Sequence, residues 1–211
     1  MISAMNWGHG PVSRWGLSHL AIKPGDHILD IGCGGGKNVA RMLKRALEGR
    51  VCGLDYSEVC VEKTRQLNRR AVCAGRAEIR LGSVSENPWS DNSFDVVTAF
   101  ETIYFWPNFA RDIEEVRRVL KPGGVFFICN EMNMPEEGEA PYQFWVKKLD
   151  LKTFSPSDFR KYLTEAGFVE VNINAKGKGR VCVSARVGKV KGNRLSNNPP
   201  VDKGGAKRSL P

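Results

Sequence analysis

The chain lacks a run of eighteen apolar residues, and it lacks a basic leader followed by an apolar stretch. A membrane span and a secretion signal are therefore not expected, and the protein reads as cytoplasmic. No two of its six cysteines form a Cys-x-x-Cys pair. Cys33, Cys52, Cys60, Cys73, Cys129 and Cys182 are scattered, and Cys52, Cys129 and Cys182 fall in stretches that read as strands. This excludes a zinc ribbon or a disulfide frame and fits small buried hydrophobes in a reducing compartment. No metal-ligating cluster is visible, so no metal is expected. A broad basic face is missing too. Of the formal charge of +9, five units come from residues 188–211, where six Lys and Arg stand against Asp202 alone. The body of the chain carries only the remaining four, so nucleic acid is not expected as a partner.

What the chain does have is His27-Ile28-Leu29-Asp30-Ile31-Gly32-Cys33-Gly34-Gly35-Gly36-Lys37. The apolar run reads as a buried parallel strand. Alternate glycines follow, then a helical pattern with Val39, Ala40, Met42 and Leu43 inward. Strand, glycine turn and helix form the ligand crevice of an open α/β sheet. A phosphate-gripping loop would need Gly at position 31 and Ser or Thr at 38, where Ile31 and Asn38 stand. The dinucleotide pattern G-x-G-x-x-G fails at its third glycine, which falls on Lys37 or Val39. The pattern Asp-x-Gly-x-Gly-x-Gly is met by Asp30, Gly32, Gly34 and Gly36.

At these residues the chain resembles the class I S-adenosylmethionine-dependent methyltransferases. Further motifs follow in that family's order: Arg50–Asp55, ending in an acid nineteen residues after Gly36; Phe94-Asp95-Val96-Val97; and Val119-Leu120-Lys121-Pro122-Gly123-Gly124-Val125 leading into a fifth strand. The resemblance implies a Rossmann-like, doubly wound seven-stranded sheet of order 3-2-1-4-5-7-6 with the last strand antiparallel. It implies S-adenosyl-L-methionine as cofactor, a small-molecule methyl acceptor and in-line displacement at the activated methyl. It also assigns residues: Asp30, Gly32, Cys33, Gly34 and Gly36 form the cofactor turn, and Asp55 takes the ribose hydroxyls. Tyr56, just past Asp55, could lie against the adenine or as easily be a surface residue. Where the family usually has an Asp after strand three, Gly82-Ser83-Val84 stands. Ser83 can accept a hydrogen bond there and the Val84 amide can donate one.

Other elements follow from pattern. Strands are expected at Ala77–Leu81, Phe94–Phe100, Val125–Asn130, Phe168–Ile173 and Arg180–Val187. Helices are expected over Val12–Ile22, from Ser57 to about Ala71, over Asp112–Leu120 and from Ser155 to Ala166. Residues 131–152 read as irregular. Residues 1–26 read as a helical lid, 27–187 as the cofactor domain and 188–211 as a basic tail too polar to order itself.

Past strand four, Glu101 is the best-placed ionisable group near the reacting centre. It could orient the methionine end, accept a proton or stabilise positive charge. Tyr104, Phe105 and Trp106 are candidate walls of the transfer pocket, with Tyr104 and His9 joining Glu101 as catalytic candidates. Trp7, His9 and Trp15 are candidate pocket residues in the lid, although a tryptophan there equally serves as a packing anchor. Two alternatives stay open: an RNA or protein methyltransferase gripping its substrate with the basic tail, and a non-catalytic S-adenosylmethionine binder. The first lacks the Asn-Pro-Pro-Tyr motif common at the end of strand four in amino-methylating nucleic-acid enzymes.

Overall fold

The computed structural model describes residues 10–137, 142–177 and 179–189. Seven strands, β1 (His27–Ile31), β2 (Arg50–Asp55), β3 (Ala77–Leu81), β4 (Phe94–Phe100), β5 (Leu120–Asn130), β6 (Phe168–Lys176) and β7 (Arg180–Val187), form one sheet. Its order is β3-β2-β1-β4-β5-β7-β6. The first five strands are parallel, and β7 inserts antiparallel to both β5 and β6. This is the arrangement expected from the sequence.

The central strands are apolar on both faces because helices cover both. Alternate side chains feed two cores. Leu29, Ile31, Val97 and Ala99 join Ile113 and Val116 of helix α5 (Phe109–Val119) and Phe159 and Leu163 of α7 (Pro156–Glu165). On the other face, Ile28, Val96 and Phe100 pack with Val12 and Leu17 of α1 (Gly10–Ser18) and Val39 and Met42 of α2 (Lys37–Leu43). Each fully buried Val, Leu or Phe contributes about 1.5–3 kcal/mol.

Several boundaries differ from the sequence reading. The helix expected to run from Ser57 to about Ala71 is broken into α3 (Glu58–Leu67) and α4 (Arg69–Cys73) at Asn68, whose φ of −105° and ψ of 20° are not helical. Its buried amide donates across to the Gly36 carbonyl at 3.2 Å, a tertiary bond that holds the chain out of the helix. Strand β5 starts at Leu120 rather than Val125, because Leu120 pairs with Phe94 across an irregularity in register. Helix α5 starts at Phe109 rather than Asp112. Asn108 caps it, accepting from the Arg111 amide, while Asp112 accepts from the Asn108 amide. α1 ends at Ser18, short of Ile22, where the Ser18 hydroxyl folds back onto the Trp15 carbonyl at 2.6 Å. Within the stretch read as irregular lies a short helix, α6 (Gln143–Lys148). It is under two turns long, too short for periodicity to reveal.

α1 lies close on β5. A Cβ on Gly16 would sit 2.5 Å from the Cys129 sulfur, and that thiol in turn meets the Val12 carbonyl. Arg45 ties the end of α1 to the chain after α2 by donating to the Leu17 carbonyl at 2.5 Å. All six cysteines are free thiols.

Candidate cofactor and transfer site

The carboxyl ends of β1, β2, β3 and β4 open onto two adjoining cavities, one of about 530 Å³ and one of about 320 Å³. Gly32, Asp55, Tyr56, Thr102 and Phe105 line both. Crevices of open α/β sheets lie at this edge because the chain leaves each strand there in a loop.

The three motif glycines answer three different demands. A Cβ on Gly32 would run into the Thr102 hydroxyl. One on Gly36 would meet the Thr64 backbone at 2.9 Å and the Asn68 amide at 2.8 Å. At Gly34, with a φ of +53°, the only neighbour of such an atom among the described residues is the Gly32 carbonyl at 3.9 Å. Gly34 therefore faces open space and lines the smaller cavity. Gly36 lines neither cavity and instead packs on α3.

Asp55 ends β2 with 6 % of its surface exposed. One carboxylate oxygen accepts from the Gly34 amide at 2.8 Å and the other from the Ser57 amide at 3.0 Å. A carboxylate has about four acceptor sites, so two remain once the amides are bound. Asp30 lies behind the turn, buried, and lines neither cavity. It accepts from the Thr98 hydroxyl at 2.7 Å. Burial pushes its carboxyl up to about 7; the Thr98 bond opposes this and the charge of Asp55 adds to it. Cys33 lines the smaller cavity by position, but its sulfur sits against the Thr64 hydroxyl at 3.8 Å. Burial and the two nearby carboxylates push that thiol far up, so it stays protonated.

Ser83 and Val84 line the larger cavity. The Ser83 hydroxyl accepts from the Ser85 amide, and the Ser85 hydroxyl donates to buried Asp112 at 2.6 Å, which anchors this wall to α5. Tyr56 is 76 % exposed and overhangs both cavities.

Glu101 lines the smaller cavity in a left-handed backbone, φ 56°. A residue of this kind is held there only by its surroundings. Here the Glu101 amide donates to the Cys129 carbonyl at 3.0 Å and to the Asn130 side chain at 3.1 Å. The Tyr104 hydroxyl donates to the Glu101 carboxylate at 3.3 Å and accepts from the amides of Glu131 and Met132. Burial, then the Glu101 charge, drives the Tyr104 phenol far above its ordinary value, so it keeps its proton. Tyr104, Phe105 and Trp106 line the larger cavity, together with Pro107, Asp150 and Lys152. Trp106 is also a core residue, stacked on Phe126.

The structure brings together Gly32, Gly34, Asp55, Tyr56, Ser83, Val84, Glu101 and Tyr104 around the two cavities. Trp15 is not among them. It meets His19 edge-on and packs on the core, the anchoring alternative. His9 and Trp7 lie outside the described residues, as does the tail from residue 190. The sequence reading missed Thr102 as a lining residue, and Lys37, Asn38 and Arg41 of α2 in the smaller cavity. Arg41 donates to Asn38 at 2.7 Å, and burial together with Arg14 lowers its pKa. Nothing in residue type marks these positions, since Lys and Arg on a helix are normally solvent-facing.

A family model described as a methyltransferase domain matches residues 29–128. The chain is 29% identical to the demethylmenaquinone methyltransferase of Symbiobacterium thermophilum over 87% of this chain and 83% of that protein. It is 32% identical to the 27-O-demethylrifamycin SV methyltransferase of Amycolatopsis mediterranei over 70% of this chain, but that match spans only 56% of the relative. Among solved structures, the geranyl diphosphate C-methyltransferase of Streptomyces coelicolor A3(2) superimposes with a TM-score of 0.72 at 14% identity, covering 84% of this chain and 80% of that one. That structure holds Mg2+, geranyl diphosphate and S-adenosyl-L-homocysteine.

Proposed function

The chain belongs to the class I S-adenosylmethionine-dependent methyltransferases, and on that premise we propose that it methylates a small, largely apolar acceptor held beside the cofactor. The observation that carries the reading is Asp55. Its carboxylate is fixed by two backbone amides at the end of β2, with acceptor capacity left on the cavity side. Two ribose hydroxyls are donors that such a group accepts together. Ser83 and Val84 are the adenine-side contacts, and Tyr56 covers the ring. Gly34 gives the cofactor access to bare backbone, which its open Cβ position supports. The smaller cavity is lined by both signs of charge, Asp55 and Glu101 as well as Lys37 and Arg41. That mixture suits the ammonium and carboxylate of a methionyl end.

S-adenosylmethionine supplies a methyl group already activated on a sulfonium. The residues then have to align, exclude water and handle one proton. Alignment alone accounts for about 7–11 kcal/mol in favourable cases. Phe105, Trp106 and Pro107 help make the larger cavity, which also takes the adenine, mostly apolar, and this supports a dry site. Tyr104 keeps its proton, so its part is to hold Glu101 from one side while Asn130 holds its backbone from the other. Glu101 is the group for orienting the cofactor's positive end or receiving the acceptor proton, and His9 is the second candidate base. Gly10 and Ser13 of α1 line the smaller cavity, which supports the lid role of the N-terminal segment. Small-molecule acceptors are named for both relatives above. No described helix is long and apolar enough to cross a membrane. We assign the protein to the cytoplasm, where its free thiols would stay reduced.

The test is methyl transfer from labelled S-adenosylmethionine to a panel of phenols, hydroquinones and small amines, with RNA and denatured protein alongside. Label in at least one small molecule is the expected result. Label only in RNA or protein would overturn the proposal, as would cofactor binding with no acceptor labelled in a whole-cell extract.

A further inference from the structure

The glycine turn is gripped from behind by α3. The Thr64 hydroxyl donates to the Gly34 carbonyl at 2.8 Å. The Asn68 amide donates to the Gly36 carbonyl at 3.2 Å and to the Thr64 carbonyl at 3.0 Å. Both side chains are buried, Thr64 completely. The helix breaks at Asn68, and the break coincides with that reach. On the cavity side, Asp55 takes the Gly34 amide. The peptide groups on either side of Gly34 are thereby fixed from two directions, amide by Asp55 and carbonyl by Thr64.

We propose that Thr64 and Asn68 are positioning residues for cofactor binding: they hold the Gly34 and Gly36 carbonyls against α3 and so keep the turn in the one conformation that leaves its cavity face bare. This rests on the methyltransferase reading. Four glycines, Gly32, Gly34, Gly35 and Gly36, make the turn inherently loose, because glycine loses more backbone freedom on ordering than any other residue. A turn left to sample other conformations binds ligand more weakly, in proportion to the time it spends misfolded locally. Two buried donors reaching from a neighbouring helix lower that cost before the ligand arrives. Neither residue touches the cavities.

Thr64→Val keeps the shape and removes the hydroxyl. Thr64→Ser keeps the hydroxyl and removes the methyl. Calorimetric Kd values for S-adenosylmethionine are measured on both full-length variants with thermal midpoints beside them. The Val variant is expected to bind about tenfold more weakly, the loss of one hydrogen bond's worth of preorganisation. The Ser variant is expected to keep native affinity. Packing rather than hydrogen bonding would reverse that order, and Val binding as tightly as native, or Ser binding as weakly as Val, would overturn the proposal. If the Val variant does not fold, Asn68→Ala decides in its place: weakened cofactor binding in a folded protein supports the clamp, and native binding overturns it. Absence of cofactor binding by the native chain would instead defeat the methyltransferase reading itself.

Discussion

At the end of β2, Asp55 is already committed to the amides of Gly34 and Ser57 before a ligand is present. Removing it costs the ligand a charged acceptor and loosens the turn as well. Asp55→Ala is expected to weaken S-adenosylmethionine binding by about 1–3 kcal/mol, roughly five- to 150-fold, by calorimetry; an unchanged Kd would sink the ribose assignment. Gly34→Val places a branched side chain in the open space over the turn, at a positive φ that β-branched residues avoid. Loss of detectable binding is expected, with the fold checked by circular dichroism. Asp30 gives a pH dependence. Its carboxyl titrates near 4 in an unfolded chain and near 7 when buried. Between those values the folded state holds the extra proton, so this group's contribution to stability falls as pH rises through that window. Asp30→Asn stays neutral throughout. Its thermal midpoint relative to native is expected to rise between about pH 4 and pH 7 and to level off above that, measured without cofactor, each pK unit of the shift being worth about 1.4 kcal/mol. A difference that is flat with pH would contradict an uncharged Asp30. Residues like Asp55 were legible because motif spacing marks them. Thr64, Asn68 and Thr102 were not, because a polar residue facing a turn thirty to seventy positions away leaves no local pattern.

Among the elements, the parallel strands were the most legible. A strand buried on both faces is a short apolar run bounded by turn residues, and β2 and β4 match the expected bounds residue for residue, as do the edge strand β3 and the antiparallel β7. Where the sequence misled, a tertiary contact had won over local preference. The residues around Asn68 favour helix, yet the Gly36 carbonyl takes its side chain. The start of β5 depends on pairing with Phe94, which periodicity cannot show. Helix α7 was legible for a local reason: Ser155 and Asp158 form a reciprocal capping box, with Pro156 in the first turn. Ser155→Ala is expected to lower stability by about 0.5–2 kcal/mol in denaturant unfolding and leave cofactor affinity unchanged, since α7 lies outside both cavities. Weakened binding at native stability would mean α7 shapes the site.

For the whole molecule, one sheet with helices on both faces puts the turn after β1, the acid after β2, Ser83 after β3 and Glu101 after β4 along one edge. Resemblance supplied that order, and the register of the strands accounts for it physically. The charge distribution points the same way: most of the net positive charge lies after residue 187, away from the motif residues in sequence. A chain ending at Lys189 retains every described residue and is expected to methylate its small acceptor as the full chain does. Loss of that activity would favour a macromolecular substrate gripped by the basic segment. The central claim is that the glycine turn and Asp55 hold S-adenosylmethionine rather than a dinucleotide. Calorimetric titration of the full chain with S-adenosylmethionine, S-adenosylhomocysteine and NAD tests it most directly. Saturable binding of the first two with no heat from NAD is the expected result. Binding of NAD alone would contradict the account and return the turn to the dinucleotide class.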